Sequence, residues 1–185
     1  MNIEERTKLI ENLVVEGMNE TNEFARILGK VIDFGEFSLN EATINGKYYN
    51  RELGASIEKF SQIVQSLRNH LVKKDALDLN LDLMQGMIEV TRHNRSGMIM
   101  TLGLIVKDKH IDDADKETAH KRVAMFDQLV SEYDNLVFQL SLKNVNLRTL
   151  KQSGKIDIEK IGLKHNYSAD EIIEFLEEFK NYTAH

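Results

Sequence analysis

Four consecutive polar residues, Arg92, His93, Asn94 and Arg95, stand between two apolar runs at 84–90 and 98–106. Two guanidinium groups and an imidazole in one short stretch are the parts of an anion or partner pocket. In a helix, four successive residues sweep about 300°, so they cannot all face water if most of that helix is buried. Extending the seam Met84, Ile88, Thr91 by four residues lands on Arg95. Arg95 is therefore expected to be at least partly desolvated and to need a carboxylate, carbonyl acceptors or a bound anion. If the partner is internal, the cluster is a register-fixing pair. If it is external, Arg92, His93 and Arg95 form a ligand- or partner-binding site.

Other constellations are weaker. Asp78, Asn80, Asp82 and Glu89 fall at the first, third, fifth and twelfth positions of a calcium loop, but Leu83 stands where that loop needs glycine. An acidic, solvated helix face accounts for them better. Glu117 and His120 make one Glu-x-x-His pair, and a di-iron bundle site needs two. Glu89 and His93, four apart, could supply another metal-ligand pair. The chain lacks a Gly-x-Ser-x-Gly elbow and a phosphate-binding glycine loop. No catalytic residue is identified, and no cofactor or metal is expected.

The elements that carry these residues read as helices. Ile10, Leu13, Val14, Gly17, Thr21, Phe24, Leu28 and Val31 recur at helical spacing across residues 4–32. Residues 51–74 repeat the pattern with Ile57, Phe60, Val64, Leu67 and Leu71. A third helix is expected over 76–107, capped by Asp75. There the alternation Leu77, Leu79, Leu81, Leu83 has a strand-like period, which the poor strand propensity of leucine and aspartate argues against. Asp112 or Asp113 caps a fourth helix, whose stripe of Val123, Phe126, Val130, Tyr133, Val137 and Leu140 continues to about residue 152. Between the first two helices, Ser38 and Glu41 could form a capping box, and Asn45-Gly46 signals a short hairpin within 41–49.

The chain is thus expected to be all-α. An antiparallel bundle of about four long helices fills 1–152, and a small two-helix unit fills 153–185. Ser153-Gly154 breaks the chain between them, and Ser168 with Glu171 makes a strong capping box for the final helix. That tail has the outline of a helix-turn-helix, but its second helix carries Asp170, Glu171, Glu174, Glu177 and Glu178. Such a face repels phosphates.

Composition narrows the classes further. The chain has 185 residues, 42% hydrophobic and 29% charged, with a net charge of −6. That balance suits a packed globule and opposes duplex nucleic-acid binding. With no cysteine there is no disulfide and no thiolate chemistry. With no proline, nothing of that kind interrupts a long helix. No secretory signal or membrane span is read, so a cytoplasmic location is the expectation. Abundant Asn, Lys and Ile point to an AT-rich bacterial or phage genome. The expected function is a non-enzymatic protein-protein interaction or regulatory role with a protein partner, and a homodimer is expected from the broad apolar faces. The alternatives are an enzyme or sensor for a small anion at Arg92–Arg95, and a metal-binding bundle.

Overall fold

The computed structural model describes residues 1–33, 49–145, 147, 154, 161 and 166–183. It is all-α. The helices are α1 (Ile3–Asp33), α2 (Tyr49–Leu71), α3 (Leu81–Lys107), α4 (Asp113–Ser141) and α5 (Ala169–Thr183). The expected capping box at Ser38 and Glu41, the expected hairpin within 41–49 and the expected helix at 156–165 fall outside the described residues, apart from Ile161 and from Tyr49, which begins α2.

Helices α1 to α4 alternate up and down, and α5 runs antiparallel to α3, with Asp170 at Arg92 and Glu177 at Gln85. Around the bundle, however, the order is α1, α2, α4, α3. Arg6 reaches His70 while Glu20 reaches Ser56, so α1 and α2 run antiparallel. Glu11 meets Asn80 while Thr21 meets Asn94, so α1 and α3 run parallel. The chain therefore crosses the end of the bundle between α2 and α3.

That crossing corrects the expected start of the third helix. Residues 76–80 are extended, and α3 begins at Leu81, with Asn80 and not Asp75 as its cap. The Asn80 side chain accepts from the Leu83 amide at 3.2 Å. The leucine alternation is genuine over this stretch. Leu77 and Leu79 are buried and Asp78 and Asn80 are exposed. Leu77 pairs with the chain after α4, donating to the Lys143 carbonyl at 3.0 Å and accepting from the Val145 amide at 2.7 Å. Asn144 Nδ2 adds a bond to the Leu79 carbonyl at 2.9 Å. Burial of every second side chain outweighs weak strand propensity. Asp75 instead accepts from the buried Arg6, whose second nitrogen donates to the His70 carbonyl, each at 2.8 Å. Burial, with Lys73 and Arg6 nearby, lowers the pKa of His70.

Two helix ends also come earlier than expected. α2 stops at Leu71, where the Lys143 ammonium donates to the carbonyls of Leu71 and Lys73. This is a cation on orphaned C-terminal acceptors. α4 stops at Ser141, and the chain turns through Leu142 and Lys143 toward the crossing. Gly154, at φ 72°, occupies the left-handed region at the expected chain break. The capping box of α5 is formed in both directions, Ser168 amide to Glu171 at 3.0 Å and Glu171 amide to Ser168 Oγ at 3.2 Å.

One cluster of buried hydrophobic residues runs through all five helices of the described residues. Its centre is aromatic. Phe24 stacks on Phe126 with centroids 3.9 Å apart, and Phe126 and Tyr133 both lie on Phe60. Ile172, Leu176 and Phe179 bring α5 into the same cluster.

Candidate functional site

Around this aromatic centre the helices are pinned by polar pairs, one or more at each helix–helix boundary. Between α1 and α2, the buried Glu20 accepts from Ser56 Oγ at 2.7 Å and meets the Lys59 ammonium at 3.3 Å. Between α1 and α3, Asn94 Nδ2 donates to Thr21 Oγ1 at 2.9 Å and to Asn22 Oδ1 at 2.5 Å. Between α3 and α4 there are two pairs, Thr91 with Asp134 at 2.7 Å and Arg95 with Asp127. Between α2 and α4, Arg122 Nε donates to Asn50 at 3.0 Å, and Arg68 forms an ion pair with Glu132.

The three residues singled out in the sequence go to three places. Arg95 forms a fork on Asp127, with Nε to Oδ1 at 2.5 Å and a second nitrogen to Oδ2 at 3.0 Å. The pair is half-buried, 33% and 29% exposed, and the bonded carboxylate raises the Arg95 pKa. Arg92 turns the other way and pairs with Asp170 at the start of α5. His93 is exposed. Asn94 faces α1. The polar run thus spreads around the helix as the 100° step requires, and each arginine is held by a carboxylate of this chain.

The deepest part of the layer was not singled out in the sequence. Asp134 is 3% exposed and Thr91 is fully buried. Burial drives the Asp134 pKa up to about 7, against the opposing pull of the Thr91 hydrogen bond and the Arg95 charge. Tyr133, next in sequence, is buried and donates to the Val14 carbonyl of α1. Burial, and then the neighbouring Asp134, raises its pKa. The ring fits because residue 17 is glycine: a Cβ there would overlap the ring edge. A usable signal existed. Asp127 and Asp134 are seven residues apart and each follows a core aromatic, so both lie beside the apolar stripe of α4.

The metal pairs gain no third ligand: Glu117 binds Lys121 at 3.1 Å, and among the described residues no three metal-ligating side chains converge. A groove beside α4, lined by Leu71, Ser131, Glu132, Asn135 and Gln139, has a volume near 470 Å³. Its one carboxylate among these, Glu132, is already engaged by Arg68.

A different surface stands out on α3. Residues 96–106 contain no charged side chain. Ile99, Met100, Leu104 and Val106 are exposed, Met100 by 69%. Gly97 and Gly103 are also exposed, and a Cβ on either would meet no atom within 4 Å. No helix among the described residues is long and apolar enough to cross a membrane. Compared with family models, with curated proteins and with solved structures, the chain finds no match.

Proposed function

We propose that this chain is a non-enzymatic interaction protein whose docking surface is the outer face of α3 from Ser96 to Val106, and that its occupant is a second copy of the same face. The observation that carries the reading is the pairing of exposed apolar side chains with two unused glycines on one uncharged helix surface. Glycine in a helix interior costs roughly 1 kcal/mol relative to alanine. Among the described residues nothing packs into the space at Gly97 and Gly103, so their packing there recovers none of the cost. Met100 and Leu104 supply projections, and Gly97 and Gly103 supply gaps, on the same face. A two-fold pair must offer both from one patch. The absence of charge along the patch removes like-charge opposition across it.

The patch is short. Eleven residues of helix span about 16 Å, less than a standard interface of roughly 1,600 Å² requires. Association is therefore expected to be reversible and concentration-dependent. Light scattering over two decades of concentration tests it. The mass should climb above 21.3 kDa as concentration rises. Met100→Lys should hold the chain at the monomer mass while leaving its melting unchanged. A wild-type mass that stays at 21.3 kDa throughout would refute the second copy as occupant.

A further inference from the structure

The Thr91 hydroxyl has one proton and two acceptors in reach, the Ile88 carbonyl at 2.9 Å and Asp134 Oδ1 at 2.7 Å. It can donate to one of them only. When Asp134 is ionised, the hydroxyl must serve the carboxylate, and Ile88 loses its side-chain donor. When Asp134 carries a proton, its own hydroxyl donates to Thr91 Oγ1, and Thr91 donates onward to Ile88. Each donor and acceptor in the chain is then used once. The site is deeply buried, with Thr91 at 0% and Asp134 at 3% exposed, so little solvent reaches the ionised form to replace what it lacks.

The charged and titratable groups around this carboxyl are few. α3 presents Arg95, one turn beyond Thr91. α4 presents Tyr133, which is committed to Val14, and Asp127, which holds the Arg95 fork. α1 meets Tyr133, not Asp134, through Gly17 and the Val14 carbonyl. On α5, Glu177 binds Gln85 and Asp170 binds Arg92. Arg95 is the cation whose field reaches Asp134.

We infer that Thr91, Asp134, Arg95 and Asp127 form a two-position, proton-operated latch between α3 and α4. With the proton on Asp134, the Asp134–Thr91–Ile88 chain is complete and Arg95 clips Asp127 at the surface. With the proton lost, Arg95 turns inward from Asp127 toward the buried Asp134 carboxylate. The latch works at neutral pH because burial holds the Asp134 proton up to about pH 7.

The test is a carboxyl and guanidinium NMR titration of the whole chain across neutral pH. The Asp134 carboxyl carbon should titrate near neutrality, and the Arg95 Nε–H resonance should move with the same midpoint. Asp127→Asn removes the carboxylate that holds Arg95, at a side chain 29% exposed, and keeps its shape. It should leave Arg95 to Asp134 and lower the Asp134 midpoint by about one unit, the usual effect of an added opposite charge. An Asp134 midpoint in the ordinary carboxylate range, near 4, would overturn the latch. So would an Arg95 resonance indifferent to that midpoint, or a midpoint unmoved by Asp127→Asn.

Discussion

From Leu81 to Arg95, α3 is tied on both flanks. Asn94 bonds α1, Thr91 and Arg95 bond α4, Arg92 pairs with Asp170, and Gln85 donates to Glu177 of α5. From Ser96 to Val106 the same helix has no charged side chain, and its buried contacts are apolar, through Met98 and Ile105. Apolar burial is non-directional, so it resists a one-turn slide of about 5.4 Å only through the fit of the packed side chains. Polar pairs oppose that slide, most strongly at Thr91 and Asp134, where a displaced partner would be left buried and unmet. The first half of α3 thus sets register for the whole bundle. The second half inherits that register and keeps its outer face free.

The largest way to break this comparison is at Asp134. The folded chain keeps its proton up to about pH 7, whereas an unfolded aspartate releases it near 3.9. Between those values folding takes up a proton, so stability falls as pH rises through the window and levels off above it. Three units correspond to a ceiling of about 4 kcal/mol. Asp134→Asn should match wild type in urea unfolding near pH 4 and be more stable by about 2–4 kcal/mol above pH 7. An equal difference at both pH values would remove the buried proton from the account.

Gly17 comes next. The Tyr133 ring beside it is held by Phe60 and by its bond to Val14, and cannot retreat from an added methyl. Gly17→Ala should cost about 1–3 kcal/mol, the usual overpacking penalty, although alanine is the better helix former. A rise in melting temperature would show that the α1–α4 approach is looser than the geometry indicates.

Arg95→Ala should cost less again, about 1–2 kcal/mol. Stranding a fully buried charge costs about 3–5 kcal/mol, but here both partners are about a third exposed and water screens what remains. Arg95→Lys should recover part of the loss, since one ammonium cannot occupy both carboxylate oxygens. Thermal melting of the two variants beside wild type checks the order.

Much of this architecture is legible in the sequence, and the reasons differ by region. α1 shows in its three-and-four spacing because one face alone is buried. Arg95 shows because it interrupts an apolar seam. The crossing at 76–80 is hard to read because alternation and propensity disagree there, and the deciding contact, Leu77 with Asn144, is distant in sequence. Asp134 is hidden in the sequence for the same kind of reason. Its partner Thr91 is 43 positions away, and a carboxylate beside an apolar stripe reads as solvated until something is packed over it. The ring order α1, α2, α4, α3 left no local trace, since alternating helix directions fit either neighbour arrangement.

The smallest expected effect sharpens the comparison most, because it has opposite signs in two measurements. Gly86 lies in the tied half of α3, and Gly97 and Gly103 lie in the free half. At all three, a Cβ would meet nothing within 4 Å. Alanine at any of them should stabilise the isolated chain by roughly 0.8–1 kcal/mol, the difference in helix propensity. If the free half docks closely on a second copy, Gly97→Ala and Gly103→Ala should also hold the two backbones apart and weaken association. Gly86→Ala should leave association as it was. Melting temperature and concentration-dependent mass, measured on the same three variants, separate the two effects. Three variants that all melt higher and all associate like wild type would show that the glycines leave room for nothing, and the docking face would lose its main support.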